Sequence, residues 1–157
     1  MVGERMYQAK VPPRAIRLLD EFDPYFEFDK TDLGRAGQIS FRVTDDENGA
    51  TLFDHPAFRN FFYQSSLGLT PLHEYALLLP CNSFKPEILC QTHFMTLRTL
   101  KNQGFLPQID IWVVAEPIGI YNYRHVFRFP VANYDFPPHT VGRKTRILML
   151  KRITDWY

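Results

Sequence analysis

Cysteine is scarce in this chain of 157 residues, in which Cys81 and Cys90 are the only two. Two thiols are too few for the disulfide framework that stabilises many small secreted domains. A four-ligand zinc site would need histidines such as His93 or His139, and no metal-ligand spacing in the sequence supports one. We therefore expect free thiols, no bound metal and no cofactor, in a cytoplasmic protein.

Long hydrophobic segments are also absent. No apolar run approaches the roughly 18 to 20 residues that a membrane-spanning helix needs. The first five residues lack the apolar stretch of a secretory signal, and no internal repeat or low-complexity tract is visible. The sequence therefore predicts no membrane partner.

The net charge is only +1, but the charges are unevenly distributed. Residues 1–50 contain seven basic and ten acidic residues, whereas residues 51–157 contain eleven basic and seven acidic ones. A basic cluster near the C-terminus includes Arg143, Lys144 and Arg146. These three residues either contact nucleic-acid phosphates or form an ordinary solvated face, and the sequence leaves both interpretations open.

Aromatic residues are plentiful, with fourteen Phe and eight Tyr, and 45% of the residues are hydrophobic. A chain of this length and composition can bury one substantial core. We expect an acidic N-terminal extension over residues 1–52 and an α/β domain over residues 53–157.

The apolar patterns predict an alternation of helices and strands. Helices are expected over residues 14–22, over 55–65 after a cap at Asp54, and from Gln91 or Thr92 to Gly104. Strands are expected over residues 25–28, 39–43, 74–79, 109–115 and 125–131, with a turn at 45–49. Residues 145–153 fit a helix or a strand equally well.

The predicted strand, helix and strand over residues 74–115 form a βαβ unit. Because the two strands of such a unit are parallel, their carboxyl ends lie at one edge of the sheet. Pro80-Cys81 and Glu116-Pro117 should therefore be neighbours there, where open α/β sheets place their binding sites. The predicted fold class is α/β, a mostly parallel sheet with flanking helices and a small N-terminal antiparallel extension.

Two spaced motifs follow these strands. The first is Pro80-Cys81, three residues, Lys85-Pro86, three residues, Cys90, two residues and His93. The second is Glu116-Pro117-Ile118-Gly119-Ile120 followed by Phe129-Pro130-Val131-Ala132-Asn133-Tyr134-Asp135. Together they resemble the archaeosine synthase family over roughly residues 53–138. Glu87 and Cys90 stand where the family has Tyr and Ser, and residues 122–126 replace a charged family motif.

The resemblance implies a tRNA-modifying enzyme that adds a nitrogen donor to the nitrile of 7-cyano-7-deazaguanine. It also implies tRNA as the partner, together with a separate chain that supplies RNA-binding or transglycosylase domains. Two alternatives stay open: a non-catalytic nucleic-acid- or protein-binding subunit with the same fold, and a relative that acts on 7-deazaguanine in DNA.

The motif positions suggest a role for each candidate residue. Cys81 is the expected nucleophile, because a strand-end thiol facing a helix amino terminus has a lowered pKa, and His93 is the expected general acid. Asp135, Glu116 and Lys85 are expected to hold the substrate, with Asp135 grouped among the catalytic residues. Tyr134 is expected to stack on the base, and Gly119 to allow a tight turn or a close backbone approach. Each of these residues also has a plain structural interpretation as a packing, capping or surface residue.

Overall fold

A computed structural model of the chain describes residues 12–66 and 70–156. In this part of the chain, helices α1 to α5 are Pro13–Phe26, Asp46–Asp54, Pro56–Phe61, Gln91–Asn102 and Arg143–Trp156. Strands β1 to β5 are Phe41–Arg42, Tyr75–Pro80, Ile109–Ala115, Gly119–Asn122 and Tyr134–Asp135. Short 3-10 turns join several of these elements, and Phe62–Ser66 continues α3 as a π-helical turn.

The predicted βαβ unit is present as β2, α4 and β3. Strands β2 and β3 are parallel over six residue pairs, from Tyr75 opposite Ile109 to Pro80 opposite Val114. Strand β4 then pairs antiparallel with β3, so this three-stranded sheet is mixed. Strands β1 and β5 form a separate parallel pair. The described chain is thus a mixture of helices and short sheets.

The prediction of an N-terminal strand at residues 25–28 is wrong. Helix α1 runs on to Phe26 and ends at Glu27, which adopts a left-handed conformation with φ of 48°. The Asp23 carboxylate accepts a hydrogen bond from the Phe28 backbone N–H at 2.9 Å, which closes the helix end. The expected antiparallel extension is also not formed, because β1 pairs in parallel with β5.

The strand predicted at residues 125–131 is wrong as well. This segment runs from the last residue of a 3-10 turn at Tyr123–His125 to the first residue of another at Val131–Asn133. Val126 and Phe127 are fully buried, so the apolar residues of this loop fill the core without strand pairing.

Capping side chains explain where the remaining helices begin. The predicted turn at 45–49 is instead the start of α2, where the Asp45 carboxylate accepts a hydrogen bond from the Asn48 N–H at 2.8 Å. Asp54 is the last residue of α2, and His55 caps α3 through a bond from the Ala57 N–H to Nδ1. The undecided segment 145–153 is helical, within α5.

One cluster of buried side chains joins the N-terminal residues to the sheet. It contains Leu18 and Phe22 of α1, Ile111 and Val113 of β3, and Phe127 from the loop that follows β4. Residues 12–52 therefore contribute to the same core as the rest of the described chain. Among the described residues, no helix is long and apolar enough to cross a membrane.

Candidate active site

A cleft of about 640 Å³ lies at the carboxyl ends of β2 and β3. Pro80 and Cys81 line it from β2, and Val114 and Glu116 line it from β3. The opposite wall comes from the segment between β5 and the first turns of α5, including Phe136, Pro138, Val141 and Arg146. The neighbouring strand ends predicted from the sequence are therefore confirmed in position.

Cys81 and Glu116 contact each other within this cleft. The Cys81 N–H donates to the Val114 carbonyl at 2.9 Å, which extends the parallel pairing by one residue beyond Pro80. The Cys81 thiol then points at Glu116, with Sγ 3.4 Å from Oε2. A thiol and a carboxylate in contact form a nucleophile next to a base that can remove its proton.

The expected lowering of the Cys81 pKa is wrong. Burial raises the pKa of this thiol to about 12, and the carboxylates of Glu116 and Glu87 act in the same direction. Only the Lys85 ammonium opposes them. At neutral pH the sulfur is therefore a protonated thiol, and any reaction through it requires a base.

Lys85 does not line the cleft and forms a buried ion pair with Glu87. The two side chains are 1% and 0% exposed, and the Lys85 ammonium donates to Glu87 Oε1. The same ammonium lies 4.2 Å from the centre of the Tyr134 ring. The charge of Lys85 is thus compensated by protein groups, and the Tyr134 ring is covered and fully buried.

The side chain of His93, on α4, forms a hydrogen bond with the last residue of β2. Its Nε2 lies 2.7 Å from the Pro80 carbonyl and its Nδ1 lies 3.3 Å from the Tyr123 hydroxyl. Burial lowers the pKa of His93, so the imidazole is neutral at pH 7, with Nε2–H donating to Pro80 and Nδ1 accepting from Tyr123. His93 is absent from the cleft lining and lies directly behind the residue that precedes Cys81.

Asp135 and Gly119 also lie outside the cleft lining. The Asp135 carboxylate faces Arg42 on β1, with Oδ2 3.7 Å from Nε. Gly119 has φ of 101°, and a Cβ at this position would lie 2.6 Å from Cγ of Arg152 on α5. Gly119 therefore permits both a tight turn and the close packing of α5.

The three basic residues at the start of α5 have different surroundings. Arg146 lines the cleft together with Cys81 and Glu116. Lys144 is exposed and pairs with Glu47 on α2, while Arg143 is exposed at the first position of α5. The structure thus brings Arg146, Cys81 and Glu116 into one site and leaves Arg143 and Lys144 outside the cleft lining.

Several residues of the site were not predicted from the sequence. Asn82, Ser83 and Phe136 line the cleft, and Glu87 supplies a buried negative charge that acts on Cys81. In the sequence, the local indication of this ion pair is that Glu87 follows Lys85 after one proline. Phe136 gives no signal of its own, since only the fold brings it to Cys81.

Comparison with known proteins finds no matching family model, no matching curated protein and no matching solved structure. The resemblance to the archaeosine synthase family therefore stays a prediction from the two motifs.

Proposed function

We propose that this chain is a cytoplasmic, thiol-dependent transferase that adds a nitrogen donor to the nitrile of 7-cyano-7-deazaguanine in tRNA. The observation that carries this proposal is the contact of Cys81 Sγ with the Glu116 carboxylate inside a cleft at adjoining strand ends. The motif resemblance suggests the substrate. The contact between the thiol and the carboxylate suggests a reaction that suits a nitrile.

The proposed reaction has two steps. Glu116 takes the thiol proton while Sγ of Cys81 bonds to the nitrile carbon, and the nitrile nitrogen then receives that proton to form a thioimidate. An amine donor next attacks the same carbon, the carbon–sulfur bond breaks, and the thiol is restored as an amidine forms. The base is needed because a thiol with a pKa of about 12 is almost never ionised at neutral pH.

The cleft has features that suit a purine-like base. Its volume of about 640 Å³ lies within the usual range of small-molecule sites. Phe136 offers an apolar wall, Asn82 and Glu116 offer polar groups for the base edge, and Arg146 offers a cation for a neighbouring phosphate.

Lys85 and His93 act through position and charge in this proposal. The Lys85 ammonium lowers the pKa of Cys81, whereas the carboxylates of Glu116 and Glu87 raise it. Neutral His93 holds the carbonyl of Pro80, the residue before Cys81. Both are positioning residues, because neither lines the cleft.

The test measures a covalent adduct by intact-protein mass spectrometry. The protein is incubated with tRNA that contains 7-cyano-7-deazaguanine, with and without an amine donor. The masses of the nucleosides from the same tRNA are measured in parallel. We expect an adduct with the wild type and with Cys90→Ala, and none with Cys81→Ala. Glu116→Gln should slow adduct formation by roughly 10²- to 10⁴-fold. Nucleoside conversion that survives in Cys81→Ala would disprove the covalent route.

A second candidate is a non-catalytic nucleic-acid-binding subunit, which the protonated state of Cys81 favours. This candidate predicts no adduct, and tRNA binding that weakens in the Arg143→Gln and Arg146→Gln variants with a reduced salt dependence. Using DNA that contains the same base as a second substrate in both measurements distinguishes a DNA-directed relative.

A further inference from the structure

A second, smaller pocket lies beside the C-terminal half of α5, away from the Cys81 cleft. Its volume is about 120 Å³, about that of four water molecules in the liquid, which suits a group the size of one phosphate. Residues of α2, α3 and α5 line it, and three of them are cations: Arg59, Lys151 and Arg152.

Arg152 is held rigidly in this pocket. Its Nη2 donates to the Phe53 carbonyl at 2.5 Å, and its guanidinium lies 4.6 Å from the Phe62 ring centre and 5.6 Å from that of Phe53. Two aromatic rings and one hydrogen bond thus fix the plane of the guanidinium before any ligand arrives.

One end of this fixed guanidinium has no acceptor. Nη1 of Arg152 is buried and has no hydrogen-bonding partner among the described residues. A buried charged donor without a partner is costly, and such groups are normally satisfied by water, an ion or a ligand.

The charged side chains around the pocket also form no close ion pairs among the described residues. Two carboxylates, Asp54 and Asp155, line it with the three cations, which leaves one positive charge in excess. Within residues 12–66 and 70–156, none of these five groups forms an ion pair within 4.0 Å. Burial lowers the pKa of Arg152, while Tyr63 and then Asp54 and Asp155 act in the opposite direction.

We propose that this pocket binds a single phosphate group, with Arg152 as its fixed anchor and Arg59 and Lys151 as its exposed contacts. Nη1 of Arg152 is a charged donor without an acceptor among the described residues, and its guanidinium is already oriented. The two carboxylates leave one excess positive charge, which limits the pocket to a single phosphate and weakens the binding. This site is independent of the nitrile reaction.

The experiment measures the rise in the thermal unfolding midpoint with sodium phosphate, relative to sodium chloride of matched ionic strength. A ligand that binds the folded state alone raises the midpoint in proportion to its affinity. We expect a phosphate-specific rise that Arg59→Gln and Lys151→Gln each reduce, with affinity weakened roughly tenfold, as loss of a charge-assisted hydrogen bond implies. Asp54→Asn should strengthen it.

The controls separate a true site from general charge effects. Arg98→Gln removes an exposed cation of α4 beside Phe94 and should leave the phosphate effect unchanged. Arg152→Gln loses a bond to Phe53 and some baseline stability, so only the phosphate-dependent increment is read, and it should vanish. Adenosine monophosphate and a single-stranded oligonucleotide as further probes show whether a nucleotide or a nucleic-acid backbone supplies the phosphate. A rise no larger than with chloride, or one unaffected by Arg152→Gln, overturns the proposal.

Discussion

At Cys81, burial raises the pKa of the thiol, and two carboxylates and one ammonium act on the same sulfur. Glu116 contacts the thiol directly, whereas Lys85 and Glu87 act from their buried ion pair. Glu116 thus has two opposite effects: its charge disfavours the thiolate, and its oxygen is the only cleft-lining base in contact with the thiol proton. These effects can be separated by experiment.

Substituting Glu116 should therefore change two rates in opposite directions. In a Cys90→Ala background, Glu116→Gln removes a charge that raises the Cys81 pKa, so iodoacetamide should alkylate Cys81 faster at pH 8 to 9. Each pKa unit lost gives roughly a tenfold gain in thiolate below the pKa. The same variant should form the nitrile adduct more slowly, because that step needs the base. Glu47→Gln, an exposed carboxylate on α2, is the control and should change neither rate. If both rates rise together, Glu116 is not the base.

At the scale of single elements, α5 depends on a residue almost a hundred positions earlier. The Asp46 carboxylate accepts hydrogen bonds from the backbone N–H groups of Gly142, Lys144 and Thr145, at 2.9 to 3.0 Å. These groups would otherwise lack partners at the helix N-terminus. A hydrogen bond with the Thr145 side chain is the main cause that lowers the Asp46 pKa from 3.8 to about 2, and the three backbone N–H groups act in the same direction.

This capping contact should make stability depend on pH. Because the folded pKa of Asp46 is depressed, its contribution is complete above about pH 4 and is lost as pH falls towards 2. In Asp46→Asn, the unfolding midpoint should be lower at pH 6 and should fall less steeply between pH 4 and 2 than in the wild type. Circular dichroism melts across this range measure the effect, with Asp20→Asn on the exposed face of α1 as the control. A parallel pH profile in wild type and Asp46→Asn would contradict it.

The same scale shows what the sequence could predict. Strand β3 and helix α4 were predicted closely because each has a long apolar pattern, and the βαβ rule then placed Cys81 beside Glu116. Residues 25–28 and 125–131 were misassigned because short apolar stretches also occur at helix ends and in buried loops. Side-chain direction was beyond local patterns: His93 points behind the cleft, and Phe136 and Arg146 reach it only through tertiary packing.

At the scale of the whole molecule, helix α1 is packed into the same core as the sheet. Phe22 of α1 is fully buried in the cluster that includes Ile111 and Val113 of β3. The Lys101 ammonium of α4 lies 5.4 Å from the Phe22 ring centre, and Lys101 pairs with Glu21 at 2.9 Å. Helix α1 is thereby joined to the βαβ unit that presents Cys81.

A shared core predicts that the chain unfolds in one cooperative transition. Phe22→Ala should lower the free energy of unfolding by about 3 to 5 kcal/mol, through lost burial and the cavity left behind. Urea melts followed by far-ultraviolet circular dichroism and by tryptophan fluorescence, to which buried Trp112 of β3 contributes, should shift together. Tyr25→Ala, at a partly exposed position on the same helix, should shift both curves far less. If residues 1–52 instead form an independent extension, Phe22→Ala will move the dichroism curve and leave the Trp112 transition where it was. That result would also separate α1 from the Cys81 site, since the cleft would then persist on a fold that does not need the N-terminal helix.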